Sequence, residues 1–183
     1  FIGSSGLRRV RSHEFLHTVE GIRSLIAAAD IESHVGLKLD SYHWWATGAQ
    51  LTDLVQLEAH EVVYVELNDA ISGFVREAAP ELSRHLPGTT GIIDSVAMCA
   101  ALLHIGFEGP VVAEPFNRAL QALPPASAAA AVSQSLDACF AAAERRVLPA
   151  DIVGSQPYHA ELQEYLEVQA LHEPRAPQEL QEL

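Results

Sequence analysis

Three short apolar segments that each end on an acidic residue constrain the fold of this chain more than any other feature. They are "VGLKLD", which ends at Asp40, "VVYVEL", with Glu66 near its end, and "GPVVAE", which ends at Glu114. Each has the length and composition of a buried β-strand, and helical patterns lie between them. Strands that alternate with helices form a parallel sheet, because each strand needs a crossover connection to the next. We therefore predict an α/β fold with parallel strands.

Helical patterns separate these strands and extend beyond them. Helices are expected at residues 13–29, at 51–57, from the cap residue Asp94 to near Gly106, and at 126–147. Residues 1–3, "FIG", fit the end of an earlier strand, which completes four βα units. Four units are half of a (β/α)8 TIM barrel, so we predict one half of a barrel over 1–147. We expect the other half to be missing from this sequence, with coverage by a partner as the alternative, and 148–183 to be a helical extension and tail.

The charge of the chain limits what it binds. Its 24 acidic and 11 basic residues give a formal charge of −13. Nucleic acids and anionic membranes are bound by basic faces, so neither is expected as a partner, whereas a cation suits this charge. Cys99 and Cys139 lie in Ala-rich helical context, and the sequence has no apolar run as long as a membrane span and no visible secretory leader. We expect buried thiols and a cytoplasmic location.

The three acids at the strand ends are predicted to form one metal site. In a parallel barrel, the carboxyl ends of the strands meet on the face where active sites are built. Carboxylates that lie close together repel one another unless a cation or a shared proton lies between them. We therefore interpret Asp40, Glu66 and Glu114 as ligands of one divalent ion such as Mn²⁺ or Mg²⁺. A single acid after a strand is more often a helix cap or a solvated loop residue, and only the repetition favours a shared site.

Three residues with large rings follow the first acid closely. His43 is expected on a loop above the barrel mouth, where it would complete the metal coordination or bind a substrate oxygen. Trp44 and Trp45 would supply flat apolar walls for a sugar ring or chain. Packing of the two tryptophans against neighbouring loops is an equal alternative.

Four motifs together resemble the xylose isomerase-like TIM barrels known as sugar phosphate isomerases/epimerases. They are "VGLKLDSYHWWATG", "VVYVELNDA", "LPGTTGIID" and "GFEGPVVAEPF", and they follow the family's order and spacing. The resemblance runs from Phe1 to about Phe116 and covers the C-terminal half of the family's barrel. It implies a metal-dependent isomerase or epimerase of a sugar, sugar phosphate or keto acid, which acts by proton transfer through an enediolate.

The resemblance also implies roles for individual residues. Asp40 matches the family's metal-binding Asp, and His43 matches the histidine of its D-x-x-H motif, which contacts substrate in the epimerases. Glu114 matches a glutamate implied to be both a metal ligand and the catalytic acid/base. Glu66 stands where many relatives have a metal-binding His, and the family's first metal-binding Glu would immediately precede Phe1.

The resemblance leaves the substrate-binding arginine without an obvious match. Arg84, near "HLPG", is our candidate to contact an anionic or hydroxyl-rich substrate. The expected cofactor is one divalent ion, Mn²⁺ in the first place, with Mg²⁺ or Co²⁺ as alternatives. The expected partner is a small carbohydrate or keto acid, and the segment after Val147 is a candidate for association between identical copies.

Three other functions stay open. A dehydratase-type lyase of keto-sugars or inososes is one, because the same enediolate can lose a β-hydroxyl group. A non-catalytic half-barrel subunit is another, favoured by Glu66 at a histidine position and by the family Glu that this sequence lacks. An endonuclease-type enzyme is disfavoured by the charge of −13 and by the absence of the additional metal-binding histidines.

Overall fold

Strands and helices alternate through the part of the chain that the computed structural model describes, residues 18–80 and 82–153. The helices are α1 Val19–Ala28, α2 Ser41–Thr47, α3 Leu51–Val55, α4 Ser95–His104, α5 Arg118–Gln121, α6 Pro125–Ala143 and α7 Ala150–Val153. The strands are β1 Leu37–Asp40, β2 Val62–Leu67, β3 Asp69–Ala70, β4 Arg84–His85 and β5 Val111–Ala113. Short 3₁₀ turns lie at Ala59–Glu61 and Arg76–Ala78. The strand expected at 1–3, the start of the first helix and the tail lie outside the described residues.

The central sheet is parallel, with the strand order β1-β2-β5. Asp40 on β1 pairs with Glu66 on β2, and Glu66 pairs in turn with Val112 on β5. The chain passes through α2 and α3 between β1 and β2, and through α4 before β5. The predicted α/β fold with parallel strands is therefore confirmed, and the described residues form part of a barrel.

The two faces of the sheet differ in chemistry. Side chains alternate between the faces of a strand, so Leu37 and Leu39 share one face of β1. Both are buried in the hydrophobic core. The opposite face of β1 carries Lys38 and Asp40, which lie beside Tyr64 and Glu66 of β2. One face thus packs into the core, while the other face collects the charged groups.

A register shift next to Gly36 sets which side chains face one another. Leu37 pairs with Val62 but Lys38 pairs with Tyr64, which leaves Val63 as the extra residue of a β-bulge. A Cβ atom on Gly36 would collide with the Cγ1 atom of Val63, so only glycine fits beside the bulge. Because side chains alternate with a period of two, this extra residue decides which face of β2 lies beside Asp40.

The segment after Asp40 is a helix and not the expected loop. The carboxylate of Asp40 accepts a hydrogen bond of 2.8 Å from the backbone N–H of Tyr42, which caps the first turn of α2. Gly48, with a φ of +80°, ends the helix in the left-handed conformation that glycine adopts most easily. The expectation that His43 lies on a loop is therefore wrong, because an acid that ends a strand also starts a helix here.

Helices α4 and α6 pack together outside the sheet. Asp94 caps α4 as predicted, since its carboxylate accepts a hydrogen bond of 2.9 Å from the N–H of Ala97. Cys99 and Cys139 are buried and free, as expected from the sequence. Burial raises the pKa of the Cys99 thiol to about 12 and raises that of Cys139 as well, so both thiols stay protonated and unreactive at neutral pH. None of the helices in residues 18–80 and 82–153 has the length and hydropathy that a membrane span requires.

The antiparallel pair of β3 and β4 was not foreseen from the sequence. Fully buried Asp69, on β3, fixes the loop that follows β4, because its carboxylate accepts hydrogen bonds from the N–H groups of Thr90, Gly91 and Ile93 at 2.7–3.0 Å. It also accepts one of 2.8 Å from the Thr90 hydroxyl. This loop contains the "LPGTTG" motif, and Asp69 anchors the end of that motif, at Thr90 and Gly91.

Substitution of Asp69 tests the importance of this anchor. We expect Asp69→Ala to lower the free energy of unfolding by about 3 kcal/mol or more, because several buried donors lose a charged acceptor. Asp94→Ala is the matched control and should cost only about 1 kcal/mol, the usual cost of losing a helix cap. Urea denaturation followed by circular dichroism measures both. Equal losses for the two variants would contradict the anchoring role.

Candidate metal centre

The structure brings the three acids at the strand ends together. One carboxylate oxygen from each of Asp40, Glu66 and Glu114 lies within 4.8 Å of the others. Asp40 is the last residue of β1, Glu66 is the last but one of β2, and Glu114 directly follows β5. The parallel register explains the convergence, because it sets Asp40 level with Glu66 and sets Glu66 level with Val112. Glu114 lies two residues after Val112 and therefore points to the same face.

Two cationic side chains lie among the acids. The Nη1 atom of Arg84 lies 2.9 Å from Oδ2 of Asp40 and 3.0 Å from Oε2 of Glu114. The Nζ atom of Lys38 lies 2.7 Å from Oε1 of Glu66. Opposite charges at these distances reduce the repulsion that would otherwise keep the three carboxylates apart.

Arg84 lies deeper than the sequence suggested. It begins strand β4 and does not lie in a loop, and its side chain is only 2% exposed. Its guanidinium lies over the ring of Tyr42, 4.5 Å from the centroid, and over that of Phe116, at 5.0 Å. Aromatic faces attract a guanidinium, so these rings hold Arg84 in place beside the acids.

Asn68 connects the strands that carry the acids. Its side-chain nitrogen donates a hydrogen bond of 3.2 Å to Oδ1 of Asp40, and its side-chain oxygen accepts one of 3.1 Å from the N–H of Glu114. Its backbone N–H donates to the hydroxyl of Ser41, which donates back to the carbonyl of Asn68. The sequence analysis missed Asn68, although it directly follows "VVYVEL". It lies two residues after Glu66, so its side chain is expected on the same face of the sheet as Glu66.

The three ring-bearing residues after Asp40 occupy different environments on α2. His43 is buried beside the acids, with its Nε2 atom 3.4 Å from Oδ2 of Asp40 and 3.3 Å from Nη2 of Arg84. Trp44 is buried in the hydrophobic core, as the packing alternative expected. Trp45 is half-buried, its ring lies 5.7 Å from that of Tyr42, and the guanidinium of Arg76 lies over its ring at 5.6 Å.

A divalent ion fits this set of residues. Oε2 of Glu66 is buried and, among the described residues, accepts no hydrogen bond. A buried polar atom without a partner is costly, and such atoms in native proteins call for an explanation such as an ion. Together with Asp40 and Glu114, this oxygen belongs to a set of carboxylate donors, which hard divalent ions prefer. The acidic cluster can therefore hold a metal.

The environment of Glu114 disfavours its ionised form. Desolvation raises the pKa of its carboxyl above the ordinary value of 4.5, and the nearby charge of Glu66 raises it further. The charge of Arg84 acts in the opposite direction but does not cancel these effects. The side chain is nevertheless 41% exposed, so solvent and small molecules can reach it. Glu114 is thus the accessible member of the cluster, and it gains a proton more readily than an ordinary glutamate does.

The described residues form part of a TIM barrel, and comparison with known proteins identifies the family of TIM barrels to which the chain belongs. The family model described as "Xylose isomerase-like TIM barrel" matches residues 11–139. The chain therefore belongs to the xylose isomerase-like TIM barrel family. No curated protein sequence gives a significant match to the chain.

Solved structures share the fold. A xylose isomerase domain protein from Alicyclobacillus acidocaldarius is 32% identical with a TM-score of 0.67, over 79% of this chain and 50% of that one. The IolI protein, crystallised with a bound zinc atom, is 24% identical with a TM-score of 0.60, over 67% of this chain and 43% of that one. A xylose isomerase-like TIM barrel/4-hydroxyphenylpyruvate dioxygenase fusion protein is 22% identical with a TM-score of 0.50, over 88% of this chain and 22% of that one. The chain thus spans at most half the length of these proteins.

The raised pKa of Glu114 predicts a pH-dependent effect of its removal. Below the unfolded-state pKa, near 4.5, the carboxyl is neutral in both states, and Glu114→Gln should leave the free energy of unfolding almost unchanged. As pH rises through the folded-state pKa, Glu114 ionises in surroundings that disfavour its charge, which lowers the free energy of unfolding of the wild type. The variant has no carboxyl group at this position and does not lose this stability. We therefore expect the variant to become relatively more stable between pH 4 and 7.5, as measured by urea denaturation in EDTA. A variant that becomes relatively less stable as pH rises would contradict the pKa direction.

Proposed function

We propose that this chain supplies the C-terminal half of the active site of a metal-dependent isomerase or epimerase that acts on a sugar, sugar phosphate or keto acid. The observation that carries the proposal is the convergence of Asp40, Glu66 and Glu114 at the carboxyl ends of parallel strands. One buried oxygen of Glu66 also has no hydrogen-bond partner within residues 18–80 and 82–153. Active sites of TIM barrels lie at these strand ends. Membership of the family supports the reaction class.

Asp40, Glu66 and Glu114 would hold the ion, and we favour Mn²⁺ over Mg²⁺ and Co²⁺. The bound ion would act as a Lewis acid that stabilises negative charge developing on a substrate oxygen. All three residues offer oxygen, the donor that Mn²⁺ and Mg²⁺ prefer, whereas zinc sites more often contain histidine or cysteine. The zinc atom in the IolI protein shows that the fold accepts a divalent ion but does not decide which ion binds here.

Glu114 is the proposed catalytic acid/base. It is the most exposed of the three acids, so a substrate carbon can approach its carboxylate. The carboxylate would take a proton from a carbon next to the substrate carbonyl, which leaves an enediolate. Return of a proton to the neighbouring carbon gives isomerisation, and return to the opposite side of the same carbon gives epimerisation. The resemblance implies that a glutamate preceding Phe1 is the second acid/base.

Arg84 and His43 are the proposed contacts to substrate oxygens. Both adjoin the acids, and Nη2 of Arg84 donates a hydrogen bond of 3.3 Å to Nε2 of His43. A substrate oxygen would take the place of one partner in this contact, as an acceptor from Arg84 or as a hydroxyl donor to His43. Trp44 and Trp45 stay proposed as apolar walls, and the half-buried ring of Trp45 suits that role better than the core position of Trp44. We also propose a cytoplasmic location, because the two buried free thiols suit a reducing compartment.

Removal of the carboxylate of Glu114 tests the catalytic assignment. The protein should be purified as encoded, with any residues that precede Phe1, and assayed with Mn²⁺ on a panel of ketoses and keto acids. Glu114→Gln is expected to lower kcat by about 10²–10⁴-fold, the usual contribution of a general acid/base. Glu108→Gln, on the exposed loop before β5, is the matched control and should keep wild-type activity. Full activity of Glu114→Gln would refute the assignment.

The same panel separates the proposal from its alternatives. Loss of water from a keto-sugar or inosose would identify a dehydratase-type lyase. A non-catalytic half-barrel subunit would bind no metal and turn over no substrate, whereas the catalytic proposal expects one tightly bound divalent ion per barrel, measurable by elemental analysis.

Replacement of Glu66 by histidine tests the preference for a hard ion. Imidazole is a good ligand for zinc, so we expect Glu66→His to raise the affinity for Zn²⁺ relative to Mn²⁺ by about tenfold or more. Competition between the two ions, followed by elemental analysis after desalting, measures the change. Glu66→Asp keeps the oxygen donor and is the control. An unchanged ratio in Glu66→His would show that Glu66 does not bind the ion.

A further inference from the structure

Lys38 is the only lysine in the chain, which otherwise uses ten arginines as its cations. It lies on β1 two residues before Asp40, so both side chains point to the same face of the sheet. Lys38 pairs with Tyr64 in the register, and Asp40 pairs with Glu66. The single lysine therefore lies next to the acidic cluster, on the side away from the strand ends.

Lys38 contacts only one of the two carboxylate oxygens of Glu66. The Nζ atom of Lys38 lies 2.7 Å from Oε1 of Glu66. The side chain of Lys38 is 27% exposed and that of Glu66 is 7% exposed. Oε2 of the same carboxylate is buried and accepts no hydrogen bond among the described residues. Lys38 thus fixes one oxygen of Glu66 and leaves the other available.

The choice of lysine matters for this geometry. An ammonium group is a compact point charge that can hold a single oxygen, whereas a guanidinium is a planar fork that tends to bind both oxygens of a carboxylate. Arg23 shows the second behaviour in this chain, because its Nε and Nη2 atoms donate to the two carboxylate oxygens of Glu61 at 2.7 and 3.2 Å. An arginine at position 38 would compete for the oxygen that lysine leaves open.

We propose that Lys38 is a positioning residue of the metal centre, which holds Oε1 of Glu66 so that Oε2 is free to bind the ion. This inference rests on the proposed function, because it assumes that the acidic cluster binds a divalent ion. Lys38 acts through Glu66 and needs no contact with the substrate.

A double-mutant cycle on metal affinity tests the proposal without relying on activity. Isothermal titration calorimetry with MnCl2, on the protein purified as encoded, gives the Kd of each variant. Lys38→Met is expected to weaken Mn²⁺ binding by about 10–100-fold, the range found for groups that orient metal ligands. In a Glu66→Gln background, Lys38→Met should cause no further loss beyond about twofold, since the two residues act as a unit. Lys38→Arg should not restore the wild-type affinity.

The control is Arg23→Met, which breaks another partly buried ion pair whose partner, Glu61, precedes β2. It should leave the Kd for Mn²⁺ unchanged. Wild-type affinity for Mn²⁺ in Lys38→Met or in Lys38→Arg would overturn this inference but leave the proposed function standing. The same would follow if Lys38→Met weakened Mn²⁺ binding equally in the wild-type and Glu66→Gln backgrounds. A wild-type protein that binds no Mn²⁺ would overturn the metal site of the proposed function together with this inference.

The single lysine also allows a test in the wild-type protein, which keeps the proposal falsifiable if Lys38→Met does not fold. Selective ¹⁵N-lysine labelling gives one side-chain ammonium resonance from this chain. Saturation with Mg²⁺ should shift that resonance, and Glu66→Gln should abolish the shift. A resonance that does not respond to Mg²⁺, in a protein whose calorimetry shows Mg²⁺ binding, would overturn the inference.

Discussion

Mutual repulsion of three carboxylates is the constraint on which the arrangement of this protein depends. Oxygens of Asp40, Glu66 and Glu114 lie within 4.8 Å of one another, in surroundings where Asp40 and Glu66 are buried. Such a cluster is unfavourable unless positive charge lies close by. Arg84 and Lys38 provide that charge. Lys38 lies on β1 together with Asp40, whereas Arg84 comes from β4, outside the central sheet.

Backbone geometry explains why these groups meet. The bulge at Val63, which needs a glycine at position 36, sets Glu66 opposite Asp40. Asn68 then joins Asp40 to the backbone of Glu114, which lies beyond the neighbouring strand. The position of each carboxylate is therefore fixed by main-chain register and by one buried amide, so the acids are held in place before any ion or substrate binds.

The strands and the acidic cluster could be predicted because they follow from local patterns. The apolar segments that end on acids predicted both the parallel strands and the acidic residues at their carboxyl ends. Helix α2 was missed because an acid that ends a strand and one that caps a helix look alike, and Asp40 does both. The antiparallel pair of β3 and β4, with Arg84 buried next to the acids, was missed because each strand has only two residues. Lys38 was overlooked, although a single lysine in 183 residues is a signal in its own right.

The balance of charge in the cluster gives a physical reason for an anionic substrate or intermediate. Three carboxylates and the two cations Arg84 and Lys38 leave one net negative formal charge, in a chain whose overall charge is −13. A divalent ion held by the same acids would reverse the local sign to one net positive charge. The centre would then attract a sugar phosphate, a keto acid or a developing enediolate, while the rest of the surface would repel them. Loss of Lys38 would bring the loaded centre back to neutrality, so the same residue that positions Glu66 would also sustain the field that an anionic species meets.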